Sequence, residues 1–264
     1  MLIDPKANRV RGVAKLNKKD ARSETGLFLL EGLQGLKEAL DRPKLIHEIY
    51  ATESSVESNP EVFARAKAAR VELQLVSDAV LKVMADTQTP QGVLAVCHQL
   101  DVSTQELLAA QPTSLALLAN IRDPGNAGTV LRAADSAGAD GILFSDNSVD
   151  VYNSKVVRST TGSIFHLPIA VGAPVLETIA QARAAGLQVF AADGAGVPLP
   201  DLTKETLAKP TLWVFGNEAW GFEPEVLQAV DQVVAVPIYG AAESLNLATA
   251  ASICLYATAF AQNR

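Results

Sequence analysis

The sequence predicts an α/β protein in two blocks, the second a parallel sheet covered by helices on both faces. Three observations carry this prediction. Short apolar runs alternate with helix-periodic stretches along the chain. Six of those runs, all in the second block, are apolar throughout, as strands buried on both faces must be. A polar segment with a proline near its end, residues 99–114, breaks the rhythm between the blocks. The expected division is 1–99 for a smaller N-terminal α/β domain, 100–114 for a partly helical connection, and 115–264 for the sheet domain.

In the first block, LFLLE (27–31) and LIHEIYA (45–51) read as strands flanking a helical LQGLKEAL (33–40). A helix at 60–70, a strand at 71–76, a helix at 78–86 and a strand at 92–98 follow, and the alternation predicts parallel pairing. In the second block the strands are 115–119, 141–145, 166–171, 187–193, 211–216 and 232–238. Helical patterns at 127–137, 153–162, 174–185, 223–231 and 244–262 separate or follow them. The last, SLNLATAASICLYATAFA, is apolar or small on nearly every side, which predicts burial. Its small residues Ala248, Ala250, Ala251 and Ser252 permit close helix approach, so a homodimer through this helix is expected.

Composition excludes several classes. Of 264 residues, 48% are hydrophobic and 19% charged, an ordinary folded composition. No apolar run reaches the roughly 20 residues of a membrane span, and the first residues lack the apolar core of a secretory signal. Cys97 and Cys254 read as buried free thiols in a reducing cytoplasm, and His47, His98 and His166 lack metal-ligand spacing, so no metal is expected. Net charge is −7, yet residues 1–22 carry seven cations against two carboxylates, a local +5 on a body of −12. Such a segment is either a polyanion contact or a solvated terminal arm.

Polar residues gather after four strands of the second block, where open α/β sheets hold their ligands. NIRDPGNAGTVLRAAD (120–135) packs Asn120, Arg122, Asp123, Gly125, Asn126 and Gly128 into a turn and sets Arg132 on the helix beyond it. AADGAGVPLP (191–200) is a long glycine- and proline-rich loop. FGNEAWGF (215–222) sets Asn217 and Glu218 beside Gly216 and Gly221, which permit close backbone approach to a ligand. Glu218 can instead cap the helix turn that follows it. PIYGAAESLN (237–246) places Ser244 where an N-cap belongs and Asn246 in the first turn of an apolar helix. Neither GxGxxG nor GxxxxGK[ST] is present at these turns, which argues against dinucleotide and P-loop chemistry.

Three of these stretches, GNAGTVLR (125–132), FGNEAWG (215–221) and PIYGAAESLNLA (237–248), resemble in order and spacing the motifs of the SpoU/TrmH-type RNA 2′-O-methyltransferases of the SPOUT superfamily. FLLEGLQGLKEAL (28–40) is similar to a stretch of the substrate-binding domain that rRNA-directed members carry. The resemblance implies a deep trefoil knot in the second block, S-adenosylmethionine as cofactor, and a homodimer through the knot domain and C-terminal helix. It implies cofactor contacts from Ala192, Asp193, Gly194, Phe215, Gly216, Asn217, Glu218, Ile238, Ser244, Leu245, Asn246 and Ala248. Leu245 and Leu247 suit an adenine pocket.

For the chemistry it implies Arg132, Asn126, Glu218, Ser244 and Asn246. A guanidinium is an improbable base in water, so Arg132 reads as a clamp on the adjacent phosphate and the developing alkoxide rather than the group that removes the ribose proton. The bland alternative for Arg132 is an ion pair with Asp135, one helical turn on. RNA phosphates would meet Arg9, Arg11, Lys15, Lys18 and Lys19, and Arg158 in KVVRSTTGSIF (155–165). The expected activity is methylation of a ribose 2′-hydroxyl in RNA, rRNA favoured over tRNA. A non-catalytic RNA-binding or ribosome-assembly protein on the same fold is the alternative of a different class, and the resemblance also admits an antibiotic-resistance role, since some relatives protect the ribosome this way.

Overall fold

The computed structural model describes residues 1–263, which divide into two compact units. The first comprises residues 1–100 together with 152–165. It opens with helices α1 (Asn8–Lys15) and α2 (Lys19–Thr25), followed by strand β1 (Leu27–Glu31) and helix α3 (Leu33–Ala39). Then come β2 (Ile46–Ala51), α4 (Glu53–Ser58), α5 (Pro60–Ala68), β3 (Leu73–Leu75), α6 (Asp78–Met84) and β4 (Val93–His98).

The sheet order is β1-β4-β2-β3. Only β2 and β3 pair in parallel; β4 lies antiparallel to both β1 and β2, contrary to the all-parallel expectation. Periodicity identifies an element but not its direction. The segment 85–92 after α6, ending in Gly92 at φ +79°, carries the chain back so that β4 enters in the opposite sense.

Residues 1–22 do not form a solvated arm. Val10, Val13 and Leu16 recur every third residue on one face and enter the core with Tyr50, Val80, Leu81, Met84 and Leu94. The side chain of Arg22 is buried and donates to the Leu16 carbonyl. Thr52 and Ser77 cap α4 and α6 through their side chains.

The second unit comprises residues 101–151 and 166–263. Its elements are α7 (Thr104–Ala109), β5 (Ser114–Leu118), α8 (Pro124–Ser136) and β6 (Gly141–Phe144). Helix α9 (Ser154–Thr160) follows, but it belongs to the first unit, where Tyr152 lies 4.8 Å from the Phe28 ring. The sequence places this helical stretch in the second block; its apolar Val156 and Val157 are equally suited to either core. The remainder is β7 (Ile169–Val171), α10 (Val175–Ala184), β8 (Gln188–Pro198), α11 (Lys204–Leu207), β9 (Thr211–Phe215), α12 (Pro224–Ala229), β10 (Gln232–Ala235) and α13 (Leu247–Gln262).

All six strands are parallel, in the order β10-β8-β9-β5-β6-β7. The central strands β5 and β9 are buried at every residue, as the unbroken apolar runs require. The segment expected as a connection is part of this unit. A capping box between Ser103 and Glu106 starts α7, and Leu107 enters the core. The Glu106 carboxyl is held below its usual range by the Ser103 backbone and side-chain hydrogen bonds.

Helix α13 buries Ala248, Ala251, Cys254, Leu255 and Thr258, not its whole circumference. Ile253 and Phe260 stay exposed on the stripe 249, 253, 256 and 260. Among the described residues, no helix is long and apolar enough to cross a membrane, and no cluster of side chains is arranged to hold a metal.

Candidate active site

The carboxyl end of β5 turns through Asn120, which adopts φ +59°. Two contacts hold this uncommon conformation: the Ser145 hydroxyl accepts the Asn120 N–H at 2.9 Å, and the Asn217 amide donates to the Asn120 carbonyl at 2.6 Å. Asp123 then caps α8 by accepting the Asn126 N–H at 2.7 Å, with Pro124 at the first helical position.

Glu218, one strand away, faces this turn. Its carboxylate accepts the Arg122 N–H at 3.2 Å and the Asp123 N–H at 3.1 Å, and the Asn126 amide donates to it at 3.3 Å. The expected cap on its own following turn is replaced by a link between two strand ends. The turn that carries Glu218 is rigid, because Asn217 and Gly221 exchange both backbone hydrogen bonds, at 2.8 and 3.0 Å.

The stretch expected as a loop at 191–200 is mostly strand. Residue 191 pairs with Val233 of β10, but the next pair is Val197 with Val234, so residues 192–196 bulge outward within β8. Gly196 permits this. A Cβ there would stand 2.5 Å from the Val233 carbonyl carbon and the Val234 nitrogen, closer than any side chain tolerates.

At the fourth strand end the helix begins one turn later than the sequence suggests. Its N-cap is Asn246, whose side-chain oxygen accepts the Ala248 and Thr249 N–H groups at 2.9 and 3.3 Å. Ser244 is exposed and caps nothing. The other end of the Asn246 amide donates to the Asn126 side chain at 2.9 Å.

These segments enclose a cleft of about 470 Å³, ample for a ligand of drug size. Of the expected cofactor contacts, Ala192, Asp193, Gly194, Gly216, Asn217, Glu218, Ile238, Ser244, Leu245 and Asn246 line it. Phe215 and Ala248 do not; both are buried in the core behind it. Glu243, Phe222, Val234, Val236 and Ala250 line it as well, although no local pattern in the sequence marks them. The wall pairs apolar Val236, Ile238 and Leu245 with the carboxylates of Asp193, Glu218 and Glu243. That donor set fits a cation with a flat apolar part.

Asn126 is in the lining and Arg132 is not. Six residues at about 100° each turn Arg132 about 240° from Asn126, so the two side chains leave different faces of α8. Arg132 is exposed and makes no ion pair or hydrogen bond among the described residues. The within-helix pair is absent because Asp135 contacts His166 at 2.8 Å.

The expected RNA contacts also differ in availability. Lys15, Lys18 and Lys19 are exposed. Arg11 donates to the Lys6 carbonyl. Arg9 is committed to Glu48, to Glu72 at 2.7 Å and to the Tyr50 hydroxyl at 2.9 Å. Its guanidinium is held more firmly protonated by those partners, chiefly Glu48, while burial and the bond to Glu48 push the Tyr50 phenol up. Arg158 is fixed between Glu31 at 3.0 Å and Asp86 at 3.1 Å. Arg9 and Arg158 are therefore not free cations awaiting phosphate.

Fold and site define a parallel α/β domain whose strand-end loops converge on a small-molecule cleft, joined to a mixed-sheet domain. The SpoU rRNA methylase family matches residues 114–256, and the MRM3-like substrate binding domain matches residues 7–95. The chain belongs to the SpoU rRNA methylase family.

It is 33% identical to the 23S rRNA (guanosine(2553)-2′-O)-methyltransferase RlmP of Bacillus subtilis, over 95% of this chain and 96% of that protein. The AdoMet-bound rRNA methyltransferase from Sinorhizobium meliloti superposes with a TM-score of 0.85 at 31% identity, covering 97% of this chain and 96% of that one. The SpoU methyltransferase AviRb from Streptomyces viridochromogenes, in complex with AdoMet, gives 0.81 at 26% identity, covering 96% and 98%.

Proposed function

We propose that the protein methylates a ribose 2′-hydroxyl of ribosomal RNA, with S-adenosylmethionine as methyl donor. The observation that carries this is the linked set Glu218–Asn126–Asn246 at the wall of a cleft that also presents Asp193 and Glu243. Bound there, S-adenosylmethionine supplies a methyl group on a sulfonium with a good leaving group.

The chain's own task is alignment and charge. Asp193 and Glu243 are placed to meet the donor's positive groups, and Ile238, Leu245 and Val236 give an apolar surface for its adenine. Asn126 and Glu218 fix the β5–α8 turn, so that α8 presents Arg132 in one position. Arg132 holds the phosphate beside the target ribose and stabilises negative charge on the attacking oxygen, rather than serving as the base.

A homodimer built on α13 completes the site. The apolar stripe of Ile253 and Phe260 and the position of Arg132 outside the single-chain cleft both support this reading. The trefoil knot implied by the motif order would run through the β8–α13 region. The buried unpaired thiols Cys97 and Cys254 fit a cytoplasmic protein.

The test is ribose-methylation mapping of total RNA from cells with and without the gene. Loss of one rRNA site is the expected result. Loss at a tRNA site redirects the substrate, and no lost site revives the non-catalytic RNA-binding reading.

A further inference from the structure

The first unit contains a second pocket, of about 350 Å³, that the methyl-transfer site does not use. Its walls are Glu31, Thr89, Gln91, Arg158, Thr161 and the backbone at Gly32. Arg158 forms one side. One terminal nitrogen donates to Glu31 at 3.0 Å and the other to Asp86 at 3.1 Å. Glu31 is itself held by the Asp86 and Thr87 N–H groups at 3.1 and 3.3 Å and by the Thr87 hydroxyl at 2.7 Å.

Two consequences follow. First, one cation stands between two carboxylates, so the local charge is −1, and a phosphate gains nothing by approaching. Second, the guanidinium is locked in plane while remaining part of the pocket wall. A planar group held at both terminal nitrogens by ion pairs is fixed in position, and the face of an arginine fixed in this way stacks on a nucleobase.

The remaining lining suits the edge of a base. The Gln91 amide and the Thr89 hydroxyl are exposed and make no hydrogen bond among the described residues. The Gln91 side-chain oxygen lies over Gly32, 3.2 Å from where a Cβ would stand, and Gly32 itself adopts φ +95°, a conformation that favours glycine. An amide with both a donor and an acceptor is what base edges pair with.

We propose that this pocket binds one unstacked nucleobase of the RNA substrate, stacked on Arg158 and read by Gln91 and Thr89. The proposal rests on the reading of the protein as an RNA methyltransferase. It also revises the expected role of Arg158, from phosphate contact to stacking platform.

The test uses the full chain with the methyl-donor cleft blocked by S-adenosylhomocysteine, so that adenosine cannot report the wrong site. Saturation-transfer NMR is recorded with adenosine, guanosine, cytidine and uridine, and with ribose 5-phosphate as the phosphate probe. At least one nucleoside gives a signal that is lost in Arg158→Lys and weakened in Gln91→Ala, while ribose 5-phosphate gives none. Gln91 is exposed and unbonded, so its replacement leaves folding intact and keeps the test valid should Arg158→Lys unfold.

With RNA, Arg158→Lys raises KM about tenfold, the scale of one lost base stack, Gln91→Ala raises it by less, and both leave affinity for S-adenosylmethionine unchanged. The proposal is overturned if no nucleoside binds, if both variants bind as the parent does, or if ribose 5-phosphate binds equally well. The nucleoside titration needs no methyl transfer, so an inactive protein would refute the function and not the pocket.

Discussion

The Asn246 side-chain amide donates to the Asn126 side-chain oxygen across 2.9 Å, joining residues 120 positions apart. Each has a second duty. Asn246 caps α13, and Asn126 donates its own amide to Glu218 at 3.3 Å. A single hydrogen-bonded line thus ties together the ends of β9 and β5 and the start of the last helix. The two amides can satisfy these bonds only in one orientation each, so the line fixes side-chain rotamers as well as loops.

Asn126→Ala breaks this line in the middle. Stability falls by about 1 kcal/mol, since partly exposed partners recover some hydrogen bonding to water. The rate of methyl transfer falls much further, by about 100-fold or more, because alignment is the chain's main contribution. Asn246→Ala loses the N-cap as well, for a further cost of about 1 kcal/mol. In a double-mutant cycle read by chemical denaturation, the two changes couple by about 0.5–3 kcal/mol. Strict additivity would show that the Asn126–Asn246 bond contributes nothing.

Gly196→Ala places a methyl group 2.5 Å from the backbone of β10 and must push β8 and β10 apart. The expected loss is about 2–4 kcal/mol, the scale of overpacking against immovable backbone. Asp193 and Gly194 sit on the same bulge and line the cleft, so S-adenosylmethionine affinity falls with stability. Gly194→Ala is the control, since a Cβ there meets nothing within 4 Å. Equal calorimetric affinities for the two variants would refute the argument.

What the sequence revealed follows the strength of its periodic signals. The apolar runs LFLLE and TLWVF became β1 and β9, short stretches rich in aromatic and aliphatic residues that are largely buried as strands. The cleft was legible because asparagines, glycines and acids cluster after strands, where capping alone does not require so many. Direction, packing partner and side-chain commitment were less visible. Nothing local distinguishes an antiparallel β4 from a parallel one. Val10, Val13 and Leu16 were hidden among charges, and charge counting cannot tell the exposed Lys18 from Arg9, which is spent on Glu48 and Glu72. The face on which Arg132 emerges was a matter of helical phase that the spacing from Asn126 itself contained.

Because Val10, Val13 and Leu16 hold part of the core, removing residues 1–22 would unfold the first unit instead of testing RNA binding. Replacing Lys15, Lys18 and Lys19 together with alanine removes exposed charge and spares Val10, Val13 and Leu16. RNA binding weakens, and the slope of log affinity against log salt becomes shallower by about 0.7–0.9 for each phosphate that the chain no longer neutralises. An unchanged slope in a filter-binding titration would place the RNA elsewhere.

The thiols offer a pH-dependent check. Burial pushes Cys254 from the ordinary 9.0 up to about 12, and raises Cys97 as well. In the folded protein both stay neutral and unreactive toward thiol reagents at pH 8, whereas the unfolded chain reacts at once. The linkage has a definite sign. Both groups favour the native state fully below the unfolded thiol value, and that advantage declines as pH rises from about 9 through 12. Rapid labelling of the native chain at pH 8 would contradict the burial.

Arg132→Ala separates chemistry from cofactor binding. Arg132 lies outside the cleft that holds the predicted donor contacts and has no protein partner among the described residues. Its removal therefore leaves the folded structure and the calorimetric affinity for S-adenosylmethionine as they are. Methyl transfer falls by about 100-fold or more, the scale of losing one donor to a developing oxyanion. Arg132→Lys keeps the charge and loses the planar fork, so it retains part of the rate if phosphate attraction dominates. A lysine variant as slow as alanine would instead require the bidentate geometry. Equal loss of cofactor affinity in Arg132→Ala would remove Arg132 from the RNA side of the reaction altogether.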